Sequence, residues 1–245
     1  MFEPEYRELV NERVLAMADT DPRIVAGAVV GGLAHGPGDR WSDLDLTFGV
    51  DDGVPVAEVL DDWTRRLEQE FDAVAVFDLP RGTSVYRVFI FPGCLQVDLS
   101  FTPQPDFGAR GPRFRLLFGE AIEHPPVSLP SPQELFGLAV HHAVRARFCI
   151  ERGRVWEAEY WISALRDHAL ERACLARGLE HAYGRGFDEL PADLKARFEP
   201  ALVRSLEADQ LLHALHAAVS GLLAETDDVA DLAARVEPRL RSLTA

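Results

Sequence analysis

The hydrophobic pattern changes character once along the chain, across the proline-rich stretch His124 to Pro132 (HPPVSLPSP), and that change restricts the fold more than any other feature. Before it, apolar residues come in short branched or alternating runs with the period of β-strands, interrupted by two helical stretches. After it, every apolar pattern has the three-four spacing of helices. Prolines at 125, 126, 130 and 132 allow neither period, so the stretch reads as an extended linker. A chain of 245 residues suits one large domain or two small ones. The expected fold class is α+β: an N-terminal mixed β-sheet with flanking helices over residues 1–125, followed by a C-terminal helical bundle over residues 126–245.

In the first half, Tyr6 to Met17 reads as an amphipathic helix and RIVAGAVV (23–30) as a buried strand that stops at Gly31-Gly32. A ten-residue loop, LAHGPGDRWS, then leads into DLDLTFGV (43–50). Here the period of two puts Asp43, Asp45 and Thr47 on one face and Leu44, Leu46 and Phe48 on the other. Val56 to Glu70 forms a helix and FDAVAVFDL a further strand, so a strand-helix-strand crossover is implied. SVYRVFIF and CLQVDLSF flank a turn at Pro92-Gly93, and in the second of them Gln96, Asp98 and Ser100 share a face opposite Leu95, Val97, Leu99 and Phe101. In the second half, helices are expected over 133–151, 155–177, 192–207, 209–225 and 229–243.

Two carboxylates projecting side by side from a strand repel one another unless a cation neutralises them. Hard oxygen ligands at this spacing suit Mg²⁺, which takes one or two carboxylates together with waters and substrate phosphates. Asp98 joins the cluster if its strand neighbours that of Asp43. The glycine turn Gly31-Gly32 is either a plain turn or one that lets backbone amides approach phosphate closely, and Arg40, just before the acids, is either a solvated surface arginine or an electrostatic partner for a leaving pyrophosphate.

These residues resemble a known family. VGGLAHGPGDRWSDLDLTFGV, followed by LQVDLSF, is similar to the nucleotidyltransferase superfamily typified by DNA polymerase beta. A small catalytic domain followed by a helical bundle is most similar to the antibiotic nucleotidyltransferases that act on aminoglycosides and lincosamides. The resemblance covers residues 24–101 by motif and the helical half only by architecture and a loose WEAEYWISALRD segment. It implies a nucleotidyltransferase-like sheet, Asp43 and Asp45 as metal ligands, Asp98 as the third acid, and Gly31, Gly32 and Ser42 near the nucleotide phosphates. It further implies two Mg²⁺ ions, ATP or another nucleoside triphosphate as co-substrate, and transfer of AMP to a hydroxyl. Gly32 departs from the pattern, since the family often has serine there.

The acceptor is expected to meet the helical half, where Glu157, Glu159 and Tyr160 lie beside Trp156 and Trp161; acid and aromatic together bind an amino-sugar, and the same residues equally make a core face with solvated acids. His141 and His142 are expected to include a packed core residue rather than a shared metal site. Two other readings stay open. The acceptor hydroxyl can belong to a protein, and DLDLT also matches the D-x-D-x-T of haloacid-dehalogenase-like phosphatases. In those enzymes the acids end a strand, whereas here they begin one, and the later lysine and acid pair would have to be Lys195 and Asp227-Asp228, within helical segments.

Composition excludes more than it identifies. Net charge is −15, mostly from the residues before Pro125, and a field of that sign opposes a long nucleic acid as partner while favouring a small cation. Cys94, Cys149 and Cys174 form no C-x-x-C pair and are expected to be buried thiols. The longest apolar run, 24–34, is interrupted by glycines and falls short of the roughly 20 residues a membrane helix needs. The charged N-terminus lacks a signal-peptide layout, so a cytoplasmic protein without a membrane partner is expected. Oligomeric state is open.

Overall fold

The computed structural model describes residues 1–36, 38–125 and 128–244. It divides into two compact units, Met1–Ser128 and Leu129–Ala245. The first is a mixed sheet with two flanking helices and the second is helical, so the protein is α+β. Part of the expected linker, Pro126 and Val127, lies outside the described residues, as does Pro37 in the loop before the acids.

Helix α1 (Pro4–Thr20) starts with proline in its first turn, where the missing N–H would have no partner in any case. It leads into β1 (Ile24–Val30), which pairs antiparallel with β2 (Leu44–Val50). Helix α2 (Val56–Phe71) follows, with Val59, Leu60, Trp63 and Leu67 buried at three-four spacing, and ends at Asp72 in a left-handed conformation. Next come β3 (Val74–Arg81), β4 (Ser84–Phe91) and β5 (Leu95–Pro103), two antiparallel hairpins. Strand β5 returns to lie parallel to β2. After a short strand β6 (Gly108–Ala109), β7 (Phe114–Phe118) pairs antiparallel with the outer side of β1, and β8 (Ile122–Glu123) pairs with β6. The main sheet has the order β3-β4-β5-β2-β1-β7.

One face of this sheet is an aromatic core. Phe48, Trp63 and Phe101 meet with ring centroids 5.1, 5.7 and 5.2 Å apart, and all three are fully buried. The Trp63 Nε1–H donates to Asp21 Oδ2 at 2.9 Å, and Arg23 holds both oxygens of the same carboxylate through Nε and Nη2 at 2.9 and 2.8 Å. This buried polar knot fixes α2 to the turn before β1.

The structure adds to the sequence expectations at two places and corrects them at two others, Cys94 and the helix over 192–207. The strand-helix-strand crossover exists, but β2 and β3 are not neighbours, because the β3–β4–β5 meander folds back and places β5 against β2. Residues 104–123 contribute strands that no hydrophobic period announces; two are only two residues long, and β7 is an edge strand. Cys94 is exposed with φ +63°, since it sits on the tight β4–β5 turn beside Gly93. The helix expected over 192–207 ends at Phe198, where Pro200 removes an amide donor and clashes with a continuing helix.

The helical unit comprises α3 (Pro132–Glu151), α4 (Val155–Leu175), α5 (Ala192–Phe198), α6 (Ala208–Ala224) and α7 (Ala230–Leu243). Helix α3 begins in a capping box: the Ser131 side chain accepts from the Glu134 amide, and the Glu134 carboxylate accepts from the Ser131 amide. Alanines 139, 143 and 146 on α3 allow close approach, and the shared core includes Ile162 and Leu165 of α4 and Leu211 and Leu215 of α6.

Candidate active site

Strand β1 ends in a single turn of 3₁₀ helix over Gly31–Ala34, and Gly31 is required there twice. Its φ of +68° is strained for any other residue, and a Cβ at this position would overlap the Asp45 Oδ2 atom. Gly32, by contrast, has open space where a side chain would go, so a serine fits there. The turn is held by the approach to β7: the Gly31 amide donates to the Arg113 carbonyl at 3.2 Å, Arg115 Nε donates to the Ala34 carbonyl at 3.0 Å, and His35 Nε2 lies 2.5 Å from the Pro112 carbonyl.

The loop before the acids is fastened from the other side by a residue that sequence reasoning missed. Arg7, on α1, is almost fully buried, and its Nη1 donates to the carbonyls of Asp39 (2.8 Å) and Ser42 (3.1 Å). Ser42 serves the loop itself: its Oγ accepts from the Asp39 amide at 2.9 Å and donates to Asp39 Oδ1 at 3.1 Å. Arg40 is exposed, pairs with Glu3 at 3.2 Å and lies over the Trp41 ring at 4.8 Å. Of the residues expected near phosphate, Gly31 thus abuts an acid, while Ser42 and Arg40 are engaged within the loop and α1.

Asp45 and Asp98 are direct partners in the parallel β2–β5 ladder, so both carboxylates leave the same face, opposite the aromatic core. Asp43 occupies the residue just before β2. Burial pushes the Asp98 carboxyl above the ordinary range; the Gln96 side-chain amide, which donates to both its oxygens at 3.1 and 3.2 Å, opposes this, and the charge of Asp43 raises it further. Gln96 is the second residue that sequence reasoning left without a role, although the period of two put it on this face. Below the acids the face is a small hydroxyl layer, with Ser100 Oγ donating to Thr47 at 2.8 Å and Thr102 to Ser84 at 2.8 Å.

As these side chains stand, no three His, Cys, Asp or Glu among the described residues are grouped closely enough to enclose a metal ion. Mg²⁺ does not need such an enclosure, because substrate phosphates and water complete its shell around one or two carboxylates. The donor chemistry fits: all oxygens, with Asp43 and Asp98 close enough that the charge of one opposes ionisation of the other.

In the helical unit, Glu157 accepts from Trp161 Nε1 (3.4 Å), Arg145 (3.3 Å) and Arg154 (3.4 Å), and its carboxyl is lowered first by the Trp161 hydrogen bond. Glu159 accepts from Ser163 at 2.8 Å, while Tyr160 is exposed and meets Trp161 edge-on at 4.9 Å. His142 is the buried member of its pair, stacked on His168 at 5.1 Å. Lys195 donates to the Asp188 carbonyl at 2.6 Å and Asp228 pairs with Arg172, so both candidates for a phosphatase site are engaged within this unit. No helix among the described residues is long and apolar enough to cross a membrane.

No protein-family model matches the chain, and no curated protein matches it in sequence. In structure it is similar to an aminoglycoside 6-adenyltransferase from Bacillus subtilis, at 11% identity over 99% of each chain. The TM-score of 0.42 is too low for that likeness to bear on fold or site.

Proposed function

We propose that the protein is a Mg²⁺-dependent nucleotidyltransferase that moves AMP from ATP to a hydroxyl of a small molecule. The observation that carries this reading is the pairing of Asp45 with Asp98 across β2 and β5, immediately beside the Gly31 turn. Asp43, Asp45 and Asp98 would hold Mg²⁺, which supplies charge neutralisation at the triphosphate and helps align the attacking and leaving oxygens.

The chain's own groups then have defined tasks. With the Gly31 amide donating to the Arg113 carbonyl, it is the open side of Gly32, next to the acids and without a side chain in the way, that suits phosphate oxygens. Gln96 donates to both oxygens of Asp98 and so restrains its carboxylate. Arg7 keeps the loop carrying Asp43 in place. The acceptor oxygen forms a bond to the α-phosphorus, the bond from that phosphorus to the bridging oxygen breaks, pyrophosphate leaves, and the hydroxyl proton passes to carboxylate or water. Specificity for adenine, and an antibiotic acceptor of the aminoglycoside type, rest on the motif resemblance alone.

The test is incubation of the protein with α-labelled ATP, Mg²⁺ and a panel of hydroxyl acceptors including proteins, with adducts read by mass spectrometry. Adenylated product and pyrophosphate are expected from the wild type and not from Asp45→Asn. Equal pyrophosphate release by that variant, with its fold intact, refutes the assignment.

A further inference from the structure

The row that joins Asp45 to Asp98 continues across the sheet. Asp98 pairs with Val88 on β4, and Val88 pairs with Phe77 on β3, so Phe77, Val88, Asp98 and Asp45 lie in line on one face. The flanking rows place Leu79 and Tyr86 beside Ser100, and Val74 and Ile90 beside Gln96. None of these six β3–β4 positions is charged, and Val74, Phe77 and Leu79 are 59, 53 and 40% exposed. The other face of the same hairpin carries Arg87, which donates to Asp78 at 2.6 and 2.8 Å and to Thr64 of α2 at 2.8 Å.

Only the outer face departs from ordinary sheet patterning, since the side toward α2 already buries Phe89 and Phe91 of β4 beside Arg87. A hairpin with one open face normally turns its polar residues to water and its apolar ones to the protein. Here the ion pair faces α2 while a phenyl ring and branched aliphatics face outward, and contiguous exposed apolar surface of this kind marks a binding site. Its position says what binds. With strands about 4.8 Å apart, Phe77 stands two spacings, roughly 10 Å, from Asp98, about the length of a small acceptor whose hydroxyl has reached the acids.

We propose that the β3–β4 face is the acceptor platform and that the acceptor presents an uncharged aromatic or aliphatic face near its reacting hydroxyl. A polycationic amino-sugar lying there would lose water from its ammonium groups with no carboxylate on the strip to replace it. This inference rests on the nucleotidyl-transfer reading.

The experiment offers Mg²⁺ and α-labelled ATP with two acceptor sets: chloramphenicol and phenyl β-D-glucoside, against kanamycin and streptomycin. The expected result is adduct on the uncharged aromatic set, with Phe77→Ser and Val88→Ser each raising acceptor KM roughly tenfold while kcat and the KM for ATP stay within about twofold. Adduct on the polycations alone, or an acceptor KM indifferent to both substitutions, overturns the platform. So does Asp45-dependent pyrophosphate release with no adduct on either set, which leaves nucleotidyl transfer standing. Absence of any Asp45-dependent pyrophosphate release overturns both readings. Sedimentation of the same proteins covers the rival occupant: a dimer that Phe77→Ser converts to monomer without moving KM makes the face an interface between copies and overturns the proposal.

Discussion

Strands β2 and β5 present two faces built from alternate residues of the same backbone, and the two faces have opposite physics. On one, Phe48 and Phe101 close around Trp63 with no exposed surface. On the other, Asp45 and Asp98 stand over a layer of threonine and serine hydroxyls. The first face gains stability from burial; the second spends part of it, holding a carboxylate where both burial and a neighbouring charge oppose ionisation. Stability and the proposed chemistry are thus separated by one residue of register, and substitutions on the two faces should separate in the same way.

The widest separation is between Asp45→Asn and Trp63→Ala. The first is expected to lower transfer by about 10³-fold or more, with Tm nearly unchanged, because it removes charge from the reacting centre and nothing from the core. The second is expected to lower stability by about 3–5 kcal/mol, the range for emptying a large aromatic site, while the folded fraction keeps its activity. Thermal melts beside single-turnover rates decide it; a Trp63→Ala protein that is fully stable would mean the aromatic core is not what supports the acids.

The glycine turn sharpens the contrast at closer range. Gly31→Ala needs a left-handed torsion from alanine and pushes a methyl into Asp45, so transfer should fall by about 10²-fold through displaced geometry. Gly32→Ser meets nothing and should retain transfer within a few-fold. Equal losses at both positions would show that the turn acts by flexibility and not by the space Asp45 needs.

How much of this was legible in the sequence depends on the range of the contact. The alternation in DLDLTFGV and LQVDLSF set the inward and outward faces of β2 and β5 before any coordinates, because period two is written locally. Their adjacency was not written locally: it follows from the meander that returns β5 past α2. Arg7 was illegible for the same reason, since one arginine on an amphipathic helix carries no mark of the loop 32 residues away that it fastens. Gln96 was visible as a face-mate of Asp98, but only the hydrogen bonds give it a task. Pro200 was a readable stop signal inside a pattern otherwise periodic enough to pass for helix.

Behind the aromatic face, Asp21 gives a smaller effect that pH reveals. Its carboxyl is held down to about 2, chiefly by the Arg23 hydrogen bond and also by that from Trp63. A depressed carboxyl contributes stability that is fully present above its unfolded value, near 4, and is lost as pH falls through about 2. The contribution is about 2 kcal/mol, so Asp21→Asn should lose that much at neutral pH and show a correspondingly flatter acid limb between pH 4 and 2. Urea melts across that window test it, and parallel limbs for the two proteins would remove Asp21 from the account.

The smallest effect runs the other way and tests the opposite face. Asp98 is raised by burial and by the charge of Asp43, so its ionised form is less favourable in the folded protein than in the unfolded chain. A group of this kind leaves stability untouched at pH values below its unfolded value and lowers it once pH has risen past its folded value. Asp98→Asn keeps the shape and removes the charge. In metal-free buffer at neutral pH the variant should therefore melt slightly above the wild type, the difference should vanish near pH 3, and nucleotidyl transfer should be lost throughout. Saturating Mg²⁺ should close the neutral-pH gap from the wild-type side, since a cation bound to the native carboxylates stabilises only the protein that still has them all. A variant that melts below the wild type in metal-free buffer would mean that Asp98 has a structural partner outweighing its burial, and the division between a stabilising face and a strained one would fail at its central residue.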